Sequence, residues 1–149
     1  MSMTVGEKLK VINQQTRQLI GIYRNSAKRA GISENEFLIW YALVLANENY
    51  SQKDIYSLWA LPKQTVNTII CKLLKSGALF LHTISGTRNQ KCIQLTDTGK
   101  QYGERMVFPI YQAEQRAFMK LTKQEQTEYA YLHEKYICLL NEEVGKEGE

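Results

Sequence analysis

Between Phe37 and Ala46 the chain runs "FLIWYALVLA", its longest apolar stretch. This is far short of the roughly twenty apolar residues that cross a bilayer. A helix apolar on every side belongs inside a core. "SENE" opens that helix as a capping box, with Ser33 at the N-cap and Glu36 three residues on. At 149 residues the chain is one domain by length, and long enough to bury a core around this segment.

The neighbours of that helix can be read outward from it. Ahead of it, Leu9, Ile12, Thr16, Leu19, Tyr23 and Ala27 alternate three and four apart, a helical stripe of nearly heptad spacing. "RNSAKRAG" closes this first helix, with bases in the last turns and Gly31 as its C-terminal cap. After it, "NENY" breaks the apolar helix, and "SQKD" begins a short one with Ser51 as N-cap and Asp54 in the first turn. In "WALPKQT", Pro62 suits the first position of the next helix, where its missing N–H has no partner to lose. Past Gly77 the pattern becomes two short extended runs, "ALFLHTI" and "KCIQL", around the polar tip "SGTRNQ", a hairpin.

From Thr96 the chain turns helical again, with Gly99, Tyr102, Met106, Ile110, Ala113 and Ala117 forming a stripe; Pro109 inside it predicts a kink or a division. "TKQE" is a further capping box, Thr122 with Glu125, and opens a last helix with Tyr129, Leu132, Tyr136 and Leu139 in heptad spacing. "GKEGE" reads as a frayed tail. The fold class is mainly α with a small β-hairpin. No repeat, low-complexity tract or long linker divides the chain. The terminal stripes either meet a second copy of the chain or face its own core.

Charge is unevenly placed. The chain carries +4 overall, but Ser51 to Leu95 holds six bases against the single acid Asp54, a net of +5. A basic middle between nearly neutral ends is the footprint of a module that binds a polyanion or an acidic partner. The N-terminus has no apolar secretory region, and three Cys without close spacing fit reduced thiols, so a cytoplasmic location is expected. His82 and His133 stand far apart, and no Cys/His/carboxylate spacing resembles a metal site. There is no nucleophile elbow, phosphate-binding Gly loop or HExxH, so neither an enzyme nor a cofactor is expected.

The helix that follows Pro62 is the most informative surface. At about 100° per residue, Val66, Ile69, Ile70 and Leu73 gather on one side. Gln64, Thr68, Cys71 and Lys75 lie opposite, flanked by Thr65, Asn67 and Lys72, with Lys63 in the first turn. Amides bond base edges, threonine offers a hydroxyl and a methyl to thymine, and lysine neutralises phosphate. A solvated amphipathic helix would look similar taken alone. The short helix before it and the basic hairpin after it complete a helix-turn-helix with a wing, in which the second helix enters the major groove.

"YSQKDIYSLWALPKQTVNTIICKLLKSGALF", with the hairpin and "IQLTDTGKQ", resembles the MarR family of bacterial transcription regulators. The resemblance covers essentially the whole chain. It rests on "SQKDI", "PKQTV", the L-x-x-x-G exit at Leu73 to Gly77 and the LT-x-x-G at Leu95 to Gly99. It implies a homodimeric repressor of pseudo-palindromic double-stranded DNA, with a winged helix over about 33–96 and dimerisation helices over 5–30 and 97–144 of a single 1–149 domain. The DNA-contacting residues carried over are Lys63, Gln64, Thr65, Asn67, Thr68 and Lys72, with Arg88 at the wing tip beside Asn89, Gln90 and Lys91. Ser51, Gln52 and Lys53 would touch the DNA backbone.

The resemblance also implies a small aromatic or lipophilic effector held between dimer helices and winged helix. Tyr23, Phe37, Trp40, Tyr41, Phe108 and Tyr111 either line that cleft or pack a core. Two further readings stand beside this one. The basic face could serve an acidic protein partner, or Cys71, next to Lys72 and Lys75, could be a thiol switch rather than an inert residue.

Overall fold

The computed structural model describes residues 2–83 and 90–148. Six helices and one hairpin follow in order: α1 (Val5–Ala30), α2 (Glu34–Val44), α3 (Gln52–Leu58), α4 (Lys63–Lys75), β1 (Leu79–Thr83), β2 (Lys91–Leu95), α5 (Asp97–Phe118) and α6 (Lys123–Glu147). The chain divides into two compact units, Met1–Phe108 and Pro109–Glu149. The division falls at Pro109, although α5 carries this proline within its helical span. No helix among the described residues is long and apolar enough to cross a membrane.

The first unit is built around α2, whose Phe37, Ile39, Trp40, Ala42 and Leu43 are all buried. Ile55 of α3, Val66, Ile69, Ile70 and Leu73 of α4, Leu79 of β1, Ile93 of β2 and Val107 of α5 close the core. Side chains of this kind each contribute about 1.5–3 kcal/mol on burial. The hairpin pairs antiparallel from Leu79 with Leu95 to Thr83 with Lys91. A third segment joins it, because Ile93 N–H donates to the Tyr50 carbonyl at 2.7 Å.

Two glycines let α5 reach this core. A methyl group at Gly99 would overlap the Ala78 carbonyl oxygen, and one at Gly103 would sit 2.7 Å from Val44 Cγ2 and 2.8 Å from Trp40 Cε3. Thr96 holds the same junction. Its hydroxyl donates to the Gly77 carbonyl (2.8 Å) and the Ala78 carbonyl (3.1 Å), and accepts from the Gly99 N–H (3.1 Å). The L-T-x-x-G pattern is therefore a strand-to-helix corner that needs a hydroxyl and a missing side chain at these two places.

Caps follow the sequence closely. Gly31 ends α1 in the left-handed conformation at φ 74°, and full capping boxes open α3 at Ser51 and Asp54 and α6 at Thr122 and Glu125. Thr4 with Glu7 supplies another at the start of α1. Three expectations are corrected. Pro62 is the N-cap of α4 rather than its first residue, with Lys63 beginning the helix. The tail does not fray at Gly145, since α6 runs to Glu147. The box at Ser33 is half made: its hydroxyl accepts from the Glu36 N–H at 3.1 Å, but the Glu36 carboxylate turns inward to Lys72.

The second unit is a helical hairpin. At its turn the Gln126 amide donates to the carbonyls of Phe118 (3.2 Å) and Leu121 (3.0 Å), and the rings of Phe118 and Tyr129 meet edge to face. None of the residues of α6 is buried.

Candidate nucleic-acid interface

Helix α4 owes its orientation to one apolar stripe. Val66, Ile69, Ile70 and Leu73 are buried, and this turns Gln64, Asn67, Thr68 and Cys71 outward together. Thr65 lies half-buried at the edge of that face. The Thr68 hydroxyl donates to the Gln64 carbonyl one turn back at 3.0 Å, leaving its methyl and its acceptor lone pairs for a ligand. Proline at the N-cap has no side chain able to satisfy the first N–H groups of α4. Those groups, with the positive end of the helix dipole, favour an anion at this end.

Helices α3 and α4 together form a hollow of about 450 Å³ lined by Gln52, Lys53, Tyr56, Lys63, Gln64 and Asn67. It contains no acid. Asp54, the one acid between Ser51 and Leu95, is held in its cap, accepting from the Ser51 N–H at 2.9 Å. Among the described residues no carboxylate forms an ion pair with Lys53, Lys63 or Lys75. The surface thus combines unpaired cations with amides, a hydroxyl and a phenol, a set that suits phosphate and base edges. Tyr56 was not anticipated. It stands one helical turn after Gln52 on the same face of α3, and this i, i+4 relation was the available signal.

Two expected contact residues are committed elsewhere. Ser51 is buried, and its hydroxyl accepts from the Asp54 N–H at 3.1 Å, so it supports α3 instead of presenting a side chain. Lys72 points back toward α2, where its Nζ donates to Glu36 Oε1 at 2.7 Å. The pair is wet on one side and dry on the other, because the Lys72 side chain is 67% exposed and that of Glu36 only 6%. The hydrogen bond from Lys72 to Glu36, then the charge of Glu36, hold the ammonium above the usual lysine range. Gln90 and Lys91 are exposed at the start of β2, whereas Arg88 and Asn89 lie outside the described residues.

Of the expected effector-cleft residues, Phe37 and Trp40 are core, each 1% exposed. Tyr41 meets Tyr23 edge to face at 6.3 Å and Trp59 at 5.7 Å, a ladder joining α1, α2 and α3. Phe108 is exposed, and Tyr111 belongs to the second unit. Among the described residues no three His, Cys, Asp or Glu side chains come together as a metal site.

By sequence the chain matches no protein-family model and no curated protein. By structure it is similar to a MarR family regulator from Neisseria meningitidis, at TM-score 0.76 and 20% identity over 95% of this chain and 99% of the other. It is similar to S. aureus MepR in its DNA-binding conformation at TM-score 0.75 and 15% identity, over 89% of this chain and 98% of that one. A third likeness is to a MarR-type regulator from Listeria monocytogenes complexed with a 26-mer DNA, at TM-score 0.69 and 16% identity, covering 96% and 92% of the two chains. Each likeness runs over nearly the whole length of both chains: the chain has the fold of the MarR-family regulators.

Proposed function

We propose that this chain is a sequence-specific double-stranded DNA-binding transcription regulator that acts as a homodimer, with α4 as its reading helix. The observation that carries the reading is the acid-free hollow between α3 and α4. Gln64 and Asn67 lie beside Lys53 and Lys63 there, and Asp54, the one acid of the segment 51–95, is spent in a cap. In this reading Gln64, Asn67 and Thr68 meet base edges, while Lys53, Lys63, Tyr56 and the uncapped start of α4 meet phosphate. Lys72 is left out of the contact set because Glu36 holds it.

The homodimer is supported by apolar side chains left uncovered on the terminal helices: Leu9, Ile12 and Leu19 on α1, and Leu132, Tyr136 and Leu139 on α6. A two-fold pair of α4 helices would read half-sites about one turn, roughly 10 bp, apart on a pseudo-palindrome. We read the regulator as a repressor released by a small effector, which acts through its differential affinity for two arrangements of the dimer. The MarR-type structures in a DNA complex or a DNA-binding conformation support this assignment by likeness of fold.

Selection of bound duplexes from a random library tests the reading. A pseudo-palindromic consensus is expected, with affinity falling steeply as salt rises. Gln64→Ala should relax base choice by about 1–3 kcal/mol at one position, while Lys63→Ala should weaken all duplexes alike. Binding without any sequence preference would instead place the basic face against an acidic protein.

A further inference from the structure

We propose that the reading helix α4 selects A·T pairs. The amides of Gln64 and Asn67 take the adenines of two neighbouring base pairs, and the Thr68 methyl meets the C5-methyl of a thymine beside them. This choice of base rests on α4 being the DNA-reading helix, as proposed above.

Gln64 and Asn67 are exposed, line the same hollow, and stand three residues apart on one face of α4. Among the described residues, neither side-chain amide bonds to another group of the chain. Three residues advance a helix by roughly 4.5 Å, close to the base-pair step of about 3.4 Å, so the two amides meet successive pairs. The NH2 of such an amide donates to adenine N7 while its carbonyl accepts from the adenine amino group, a match available in the major groove.

Thr68 is exposed one turn on from Gln64, and its hydroxyl donates to the Gln64 carbonyl at 3.0 Å. That bond holds the side chain in one rotamer and leaves a fixed methyl at the surface, suited to the thymine methyl. The side chains that read the other pair are missing. Guanine is most often read by arginine, and neither α3 nor α4 contains one. The cytosine amino group is read by a carboxylate, and Asp54, the sole acid of the two helices, is bound in the Ser51 cap. The lysines are placed for other work. Lys53 belongs to α3, the helix that crosses the DNA backbone in this motif, and Lys63 to the start of α4, which favours phosphate. Lys72 is held by Glu36, and Lys75 lies at the far end of α4.

Duplexes selected on the full chain from a random library, then remade with base analogues, test the proposal. 7-Deazaadenine, which lacks the N7 acceptor, should weaken binding about fivefold or more at two neighbouring half-site positions. Gln64→Ala should abolish that sensitivity at one of them and Asn67→Ala at the other. Deoxyuridine in place of thymidine removes only the C5-methyl and should weaken binding about threefold at one position. Thr68→Ser keeps the hydroxyl bond to Gln64 and should make thymidine and deoxyuridine equivalent there. The analogue series on the unaltered protein needs no variant, so it decides even where a substitution unfolds the chain. A palindromic consensus with G·C pairs at the positions governed by Gln64 and Asn67 overturns this choice of base and leaves the DNA-binding function standing. So does tolerance of 7-deazaadenine or deoxyuridine at every position, or a preference for thymidine that survives Thr68→Ser. A library that yields no consensus overturns both.

Discussion

Helices α2 and α6 sit at opposite extremes of burial. Six residues of α2 are buried in its eleven, while not one residue of the twenty-five in α6 is. Yet both carry large apolar side chains, and α6 exposes Tyr129, Leu132, Tyr136, Leu139 and Leu140. The first unit closes a core from its own chain. The second is a helical hairpin whose α6 buries none of its residues. Apolar periodicity therefore marks a face, and only the surrounding structure decides whether that face is covered.

Truncation is the harshest way to break this contrast. Trp40→Ala should cost about 3–5 kcal/mol, because a buried ring against which Gly103 of α5 packs is lost. Leu139→Ala should change the stability of an isolated chain little, and act on the proposed dimer instead. The measurement is thermal unfolding over a hundredfold range of protein concentration. Trp40→Ala should lower Tm at every concentration, while Leu139→Ala should reduce the dependence on concentration. An equal shift from both variants at all concentrations would mean that α6 is covered within one chain.

A smaller effect is expected at the start of α6, where capping must do more because packing does less. Thr122→Ala should cost about 1 kcal/mol, read by helicity near the cap. The backbone and side-chain hydrogen bonds of Thr122 hold the Glu125 carboxyl below its ordinary range. A lowered folded-state pKa gives stability that is present above the unfolded pKa and lost as pH falls through the folded one. The α6 start should therefore loosen only as pH falls below the ordinary glutamate range, and Thr122→Ala should blunt that dependence. For Lys72 the sign reverses: its pKa is raised, so the contribution is present at neutral pH and lost only above the ordinary lysine range.

The smallest expected effect is a gain. Ala60, between α3 and α4, has φ 50° and is the one non-glycine residue with positive φ among those described. Ala60→Gly should stabilise the first unit by up to about 1 kcal/mol by relieving this conformation. Chemical denaturation checks it. A loss of stability would show that the Ala60 methyl packs more strongly than its backbone is strained.

Much of the fold was legible because it depends on neighbours in sequence. The caps at Ser51 and Thr122 and the stop at Gly31 each rest on residues a few positions apart. The outward set Gln64, Asn67 and Thr68 followed from the buried stripe on the other side of α4. Capping chemistry could not reveal that Ser51 would be covered. Nor could the pattern of α4 alone show where Lys72 would turn, because its partner Glu36 is thirty-six residues away.

By itself the sequence determined the order of helices and hairpin, their boundaries to within a residue or two, and which side of each helix is apolar. These follow from backbone capping and from periodicity, both local in range. Tertiary structure alone decided which polar side chains stayed available. It buried Ser51, paired Lys72 with Glu36, brought Tyr56 into the hollow beside Lys63, and left Glu36 as a nearly dry carboxylate. Burial and charge pairing are set by atoms that meet only once the chain has closed, so no local pattern encodes them.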